Sequence, residues 1–179
     1  MDLPFDSLVA QAAQAIGVNP DWLKFQVAAE SAWNPFAFNK LSGATGLIQF
    51  MPRTAKGMNI VSLAVAARIP SEGPVPEDVK QAFYKDFIAK FPTVEAQLLG
   101  PVVAYYKMWR PFPTEQSFYL STFYPKYRNS APDTVFPDSV QAQNPGIKTV
   151  GDYVAYVKKK SNSKGFWRNL LARLRSRRP

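Results

Sequence analysis

The stretch from Glu30 to Pro52, ESAWNPFAFNKLSGATGLIQFMP, decides how the rest of the chain is interpreted. It contains a single carboxylate, that of Glu30, followed by an Asn-Pro turn, a Gly-rich turn and a lone Gln, and it has no His or Cys. The residues from about Pro20 to Ser31 have helical periodicity, with Asn19 as the N-cap and Pro20 at the first helical position. Glu30 is therefore predicted in the last turn of a helix, where the negative end of the helix dipole raises its pKa.

A carboxylic acid with a raised pKa is suited to act as a general acid. An acid that stays protonated near neutral pH can protonate a leaving oxygen, and cleavage of a glycosidic bond is the reaction that most needs one. Burial beside Trp33, Phe36 and Phe38 would raise the pKa of Glu30 further by desolvation. This stretch lacks the usual second carboxylate, but a lone acid suffices when the substrate supplies its own nucleophile. In the alternative, structural interpretation, Glu30 is a solvated helix-end carboxylate or is paired with a Lys.

The amino-acid composition narrows the chemistry further. The chain has 179 residues, which fits one domain or one domain with an appendage, and it contains neither Cys nor His. Disulfides, thiol nucleophiles, zinc peptidases or amidases, and Ser-His-Asp mechanisms are thereby excluded. We expect a monomer that uses no cofactor and no metal ion.

The periodicity of the apolar residues predicts a mainly α-helical protein. No alternation of apolar and polar residues, which is typical of half-buried strands, extends over any length. Besides the helix that ends near Glu30, we predict helices over residues 3–16, from Pro52 to about residue 56, over 77–91, from Thr93 to Trp109 with a kink at Pro101, from Thr114 to Phe123, and after Thr149.

Two short motifs carry a resemblance to a known family. The first is Glu30-Ser31 followed by Asn34-Pro35, and the second is GATGLIQFMPRTA over residues 43–55. In this order and at this spacing they resemble the soluble lytic transglycosylases (SLT), members of the lysozyme-like superfamily of peptidoglycan-cleaving enzymes. The resemblance is strong over residues 17–58, with Ile48 in place of the family's Met. It implies a mainly α, lysozyme-like domain of the SLT type.

The resemblance also implies roles for individual residues. Glu30 would protonate the oxygen of the β-1,4 bond between N-acetylmuramic acid (MurNAc) and N-acetylglucosamine (GlcNAc). It would then deprotonate the muramyl C6 hydroxyl, which closes onto C1 and leaves a 1,6-anhydro end. Ser31 would hydrogen-bond Glu30 or the substrate, and Gln49 would contact the sugar or the acid. Their alternatives are a helix-end hydroxyl and a loop amide. Gly46 is a further candidate for substrate binding, although backbone geometry is the simpler reason for a glycine there.

The third motif of the family, Ala-Tyr-Asn-Ala-Gly in a helix, is only half present. Its nearest counterpart is Thr122-Phe123-Tyr124-Pro125, without the Asn and the Gly, which is more similar to phage-encoded members. The segment from Gln143 to Ile147 resembles a later element of those enzymes, but Lys148 takes the place of an acidic loop, so no calcium site is expected. Tyr119 and Tyr124 are candidates to line the sugar groove, with packing in the core as the alternative.

The positive charge of the chain lies in its C-terminal segment. The net charge is +9, from 22 basic and 13 acidic residues, and nine of the basic residues but none of the acids fall in residues 158–179. Residues 1–157 are therefore neutral and are predicted as the catalytic domain, and residues 158–179 as a basic linker and an amphipathic helix. Residues of this helix would bind an anionic membrane or lipopolysaccharide: Phe166, Trp167, Arg168, Leu170, Leu171, Arg173 and Leu174. Docking of the helix on the body, or contact with nucleic acid or a phage partner, are the alternatives; no base-reading module is present, so no specific nucleic acid is expected.

The remaining sequence features bear on where the protein acts. The N-terminus, MDLPFDSLVAQAAQ, lacks the basic and apolar regions of a signal peptide, and no segment approaches the ~20 apolar residues of a membrane span. We expect a peptidoglycan lytic transglycosylase that acts at the bacterial cell wall as a phage virion or lysis protein. A lysozyme-type muramidase, with Asp86 or Glu95 positioning water, is the first alternative. A non-enzymatic wall-binding virion protein and a cationic membrane- or DNA-binding protein are the others.

Overall fold

A computed structural model describes residues 4–161 and shows a mainly helical protein, as the sequence predicts. Extended backbone pairs within this range only in isolated bridges, such as that between Phe38 and Thr45. The α-helices of the described range are α1 (Phe5–Ile16), α2 (Pro20–Ser31), α3 (Pro52–Gly57), α4 (Leu63–Arg68), α5 (Glu77–Lys90), α6 (Val94–Gln97), α7 (Val103–Met108), α8 (Glu115–Phe123), α9 (Asp138–Gln143) and α10 (Val150–Ser161).

The junction between α1 and α2 forms as the sequence predicts. Gly17 ends α1 in the left-handed conformation, with φ +84°, and its N–H donates to carbonyls of the last turn of α1. Asn19 caps α2, because its Oδ1 accepts a hydrogen bond from the Asp21 N–H at 2.8 Å. This short connection lets α1 pack against α2, so Glu30 lies on a supported helix.

Three segments differ from the sequence-based prediction. The helix predicted from Thr93 to Trp109 is divided into α6, a π-helical turn over Leu98–Val102 and α7. Pro101 lies in that turn, and because it has no N–H it cannot continue the α-helical hydrogen bonds. The helices α4 and α9 were not predicted, since six residues are too few to show a helical period.

The loop between α2 and α3 is held in place by Gln97, which is fully buried on α6. Gln97 Oε1 accepts from the Leu47 N–H at 2.9 Å, and its Nε2 donates to the carbonyls of Pro35 and Phe91 at 2.8 and 2.9 Å. Gly46 passes so close to this amide that a Cβ there would lie 2.6 Å from Gln97 Oε1. The Gly-rich turn is therefore a packed part of the core.

Replacing Gly46 by Ala should destabilise the fold strongly. The φ of +78° strains any other residue, and the new Cβ would also lie 2.8 Å from Phe87 Cε1. We expect the free energy of unfolding to fall by roughly 3 kcal/mol, measured by urea denaturation. Gly57→Ala is the matched control, because outside its own helix turn and chain neighbours no atom of the described residues lies within 4 Å of its Cβ position. It should change stability by less than about 1 kcal/mol. Equal losses in the two variants would contradict a packed role for Gly46.

The last described helix extends beyond residue 157, where the sequence suggests a domain boundary. Lys158, Lys159 and Lys160 form the last turn of α10, which packs against α2 and α8. Lys158 Nζ lies 2.6 Å from Glu115 Oε2 on α8. None of the helices in residues 4–161 is long and apolar enough to cross a membrane. Membrane binding stays a prediction, because its residues lie outside the described residues: Phe166, Trp167, Arg168, Leu170, Leu171, Arg173 and Leu174.

Candidate active site

An open cleft of about 1150 Å³ lies between α2, α10 and the loops beside them. It is lined by the end of α2, residues of the loop over 39–51, the end of α8, residues from 142 to 147, and the second part of α10. Glu30 is part of this lining, together with the amide side chains of Asn39, Gln49, Gln143 and Asn144. The first motif of the sequence thus places its acid in the cleft.

Glu30 is held by two hydrogen bonds that end on the same oxygen. Gln26, one turn earlier on α2, donates from Nε2 to Glu30 Oε1 at 2.8 Å, and the Tyr153 hydroxyl on α10 donates to that oxygen at 3.0 Å. Gln26 Nε2 also donates to the Tyr153 oxygen at 3.0 Å, so the three side chains close a triangle. Phe123 stacks on the Tyr153 ring with centroids 4.1 Å apart, which fixes the position of the hydroxyl.

Burial raises the pKa of Glu30 from 4.5 to about 7. Desolvation is the largest cause, because it penalises the carboxylate. The hydrogen bond from Tyr153 and the positive charge of Lys160 lower the pKa and offset part of this rise. A group with a pKa of about 7 can both give and take a proton near neutral pH.

Glu30 and Lys160 are the only charged side chains among the described residues that line the cleft. Lys160 Nζ donates to the Ala29 carbonyl at 3.2 Å and lies 5.0 Å from the centroid of the Tyr156 ring. These contacts hold a positive charge near the acid and on the edge of the cleft. Lys160 therefore favours the carboxylate form of Glu30.

Neither of the acids proposed to position water lies in the cleft lining. Asp86 accepts a hydrogen bond from the Ser62 N–H at 2.9 Å and pairs with Lys90 at 3.6 Å. Glu95 lies in the first turn of α6. Within residues 4–161, the cleft therefore lacks the second carboxylate that a typical glycosidase uses.

Of the binding residues predicted from the two motifs, Gln49 lines the cleft, whereas Ser31 and Gly46 do not. Gln49 lines the cleft, and its Nε2 donates to the Gly46 carbonyl at 3.0 Å. The Ser31 hydroxyl donates to the Val27 carbonyl one turn earlier, at 3.3 Å, so its one hydrogen is not directed at Glu30, and its contact with the substrate stays a prediction. Gly46 is buried and does not line the cleft, and its glycine is explained by φ and by the contact with the core.

Tyr119 and Tyr124 do not line this cleft, which corrects their predicted position. Tyr119 is fully buried, and its hydroxyl donates to Glu115 at 2.7 Å. Tyr124 packs edge-on against Phe136, with centroids 6.0 Å apart. The aromatic residue of this segment that lines the cleft is Phe123, the last residue of α8 and one helical turn after Tyr119.

The aromatic residues predicted around Glu30 also have other contacts. Trp33 is buried and packs edge-on against Phe5 on α1, with centroids 4.7 Å apart. Phe38 packs against Tyr84 on α5 at 4.9 Å. Trp33, Phe36 and Phe38 are not in the cleft lining. The aromatic side chains that line the cleft with Glu30, among the described residues, are Phe123 at the end of α8 and Tyr153 and Tyr156 on α10.

Three residues of the site are missing from the sequence-based prediction: Gln26, Tyr153 and Lys160. Gln26 precedes Glu30 by four residues, a spacing that places two side chains on one helix face, so a local signal for it exists. Tyr153 is separated from Glu30 by 123 residues, and no local pattern connects them. The charge of Lys160 groups it with the basic segment, although it lies on the helix that carries Tyr153.

Comparison with known proteins supports the two motifs. Residues 7–67, which are 61 of the 179 residues, match the family model of the transglycosylase SLT domain. The match covers most of α1, all of α2 and the loop with Gln49, but not α10. No curated protein and no solved structure matches the chain. The mainly helical architecture agrees with the predicted SLT-type, lysozyme-like fold. Over residues 7–67, the chain is similar to the SLT domain of peptidoglycan lytic transglycosylases.

Proposed function

We propose that this protein is a peptidoglycan lytic transglycosylase in which Glu30 acts alone, first as the acid and then as the base. The observation that carries the proposal is the position of Glu30. It is the sole acid among the described residues of the cleft, and its pKa is about 7. The match to the SLT domain supports the same class of reaction.

The proposed reaction uses both protonation states of Glu30 in turn. The protonated acid gives its proton to the bridging oxygen between MurNAc and GlcNAc as the bond from C1 to that oxygen breaks. The C6 hydroxyl of the same muramyl residue forms the new bond to C1, and its proton passes to the Glu30 carboxylate. The glycan ends in a 1,6-anhydro ring, and Glu30 is protonated again without a second protein carboxylate.

The rest of the cleft suits a glycan strand. The amides of Gln49, Gln143 and Asn144 can exchange hydrogen bonds with hydroxyl and N-acetyl groups, and Tyr156 offers an aromatic surface. Lys160 provides the positive charge that a substrate with carboxylate-bearing stems would meet. The enzyme would thus act at the bacterial cell wall, and the phage-like third motif supports a role in wall degradation for a phage.

The mass of the product tests the proposal. The full chain is incubated with purified peptidoglycan, and the released fragments are analysed by mass spectrometry. We expect 1,6-anhydro ends, which are lighter by one water than the reducing ends that hydrolysis produces. Reducing ends would identify a lysozyme-type muramidase instead, and an intact glycan would favour a non-enzymatic wall-binding protein.

A further inference from the structure

We infer that Gln26 is a positioning residue, which fixes Glu30 and determines which of its two oxygens exchanges a proton with the substrate. The inference deepens the proposed function and rests on it for the role of Glu30. Gln26 itself does not line the cleft, so it would act through Glu30 and not on the glycan.

The hydrogen bonds of Gln26 have a fixed direction. A tyrosine hydroxyl has one hydrogen, and that of Tyr153 is directed to Glu30 Oε1. The Tyr153 oxygen must therefore accept in its contact with Gln26, whose Nε2 supplies one N–H to Tyr153 and the other to Glu30. Both donors of the amide are thus used at the acid.

The environment of Gln26 argues against a role in packing alone. The side chain is fully buried, and within the described part its Oε1 has no hydrogen-bond partner. A buried acceptor without a partner costs stability, and an apolar side chain of the same size would avoid that cost. An amide is therefore explained here by what its two N–H groups do.

The triangle leaves the two oxygens of Glu30 in different states. Oε1 accepts from both Gln26 and Tyr153, whereas no hydrogen bond from the described residues reaches Oε2. A proton on Oε1 would compete with two donors for the same oxygen, so the neutral acid carries its proton on Oε2. A 180° rotation of the protonated carboxyl group would bring its O–H towards the two donors, so this rotation is unfavourable. Oε2 is thus the oxygen left for the substrate.

The test measures the titration of Glu30 directly. The chain has five glutamates, so selective 13C labelling of their side-chain carboxyl groups gives five signals that can be followed with pH: Glu30, Glu72, Glu77, Glu95 and Glu115. Gln26→Met removes both N–H donors with little change of shape. Gln26→Asn keeps a polar amide, but its side chain is one methylene group shorter, so the amide no longer reaches Glu30. This variant therefore distinguishes the effect of the hydrogen bond from the effect of having a polar group at this position.

We expect the Glu30 titration to move upward by roughly one pH unit in both variants, because a donor to the carboxylate form is lost. On soluble, uncross-linked glycan strands, kcat should fall by about 10- to 100-fold while KM changes by less than about threefold. An unchanged or lowered titration point in both folded variants would overturn the inference. A lowered one would mean that the amide oxygen, and not the nitrogen, faces Glu30.

Gln97→Met is the matched control, because Gln97, like Gln26, has a fully buried side-chain amide. The amide of Gln97 bonds to backbone groups and not to Glu30. It should lose stability and leave the Glu30 titration at the wild-type value. An equal shift in this control would show a general loosening of the fold and would overturn the role of Gln26. The titration needs no substrate, so it tests the placement of Glu30 by Gln26 independently of catalysis. If the wild-type chain cleaved no glycan, the proposed function would be refuted, but the titration would still test the role of Gln26.

Discussion

Replacing Glu30 by Gln should abolish glycan cleavage while leaving the protein folded. The amide cannot give a proton to the leaving oxygen, but its oxygen can still accept the hydrogen bonds from Gln26 and Tyr153. We expect a loss of roughly 10³-fold or more in the rate at which purified peptidoglycan releases soluble fragments. Retained cleavage would refute the assignment of Glu30 as the acid.

The stability of this variant provides its control. The folded-state pKa of Glu30 is raised from 4.5 to about 7, so the folded protein favours the protonated acid. The resulting stabilisation is present below about pH 4.5 and is lost as the pH rises through 7, where ionisation of Glu30 costs the folded state roughly 3 kcal/mol. Glu30→Gln should therefore be at least as stable as the wild-type protein at pH 8 by thermal denaturation. An inactive variant with a lower melting temperature at that pH would indicate loss of the fold instead.

Replacing Tyr153 by Phe should lower the cleavage rate by about 10²-fold and change its pH dependence. The ring can keep its stacking on Phe123, but the hydroxyl that donates to Glu30 at 3.0 Å is lost. Cleavage by the wild-type protein should decline as the pH rises above about 7, because the acid deprotonates. In the variant this decline should begin at higher pH, since the lost hydrogen bond favoured the carboxylate.

Tyr119→Phe is the matched control for Tyr153→Phe. It removes a hydroxyl that donates to Glu115 from an equally buried ring, without a contact to Glu30. Its rate and pH profile should stay within about twofold of the wild-type values. A large loss in this control would show that removing any buried hydroxyl lowers the rate, and would contradict a specific role for the Tyr153 hydroxyl. Equal pH profiles for Tyr153→Phe and the wild-type protein would contradict the effect of Tyr153 on Glu30.

The sequence predicts the half of the site that depends on neighbours along the chain. The helix that ends at Glu30 follows from an N-cap at Asn19 and a regular apolar spacing, both of which act over a few residues. The Gly-rich turn is likewise a local feature, since Gly46 needs a positive φ. For these residues the motif, the cap and the helical period all indicate the same local structure, and the structure shows the predicted helix and turn.

The other half of the site depends on contacts that no local pattern encodes. Tyr153 lies on a helix whose apolar face is buried, so a tyrosine there is equally well explained by core packing. Tyr119 and Phe123 are four residues apart on one face of α8, and only the packing of the helix end decides which of them reaches the cleft. The hydrogen bond from Tyr153 and the charge of Lys160, which both act on the pKa of Glu30, likewise come from α10, which the motifs do not include.

The hydrogen bond from Tyr153 to Glu30 joins two residues that are 123 positions apart, and this separation orders events during biosynthesis. When the ribosome has made the residues that carry both motifs, α10 does not yet exist. Glu30 then lacks the hydrogen bond from Tyr153 that fixes one of its oxygens. We therefore expect the arrangement of Glu30, Gln26 and Tyr153 to form only when α10 docks on α2, after translation has passed Tyr153.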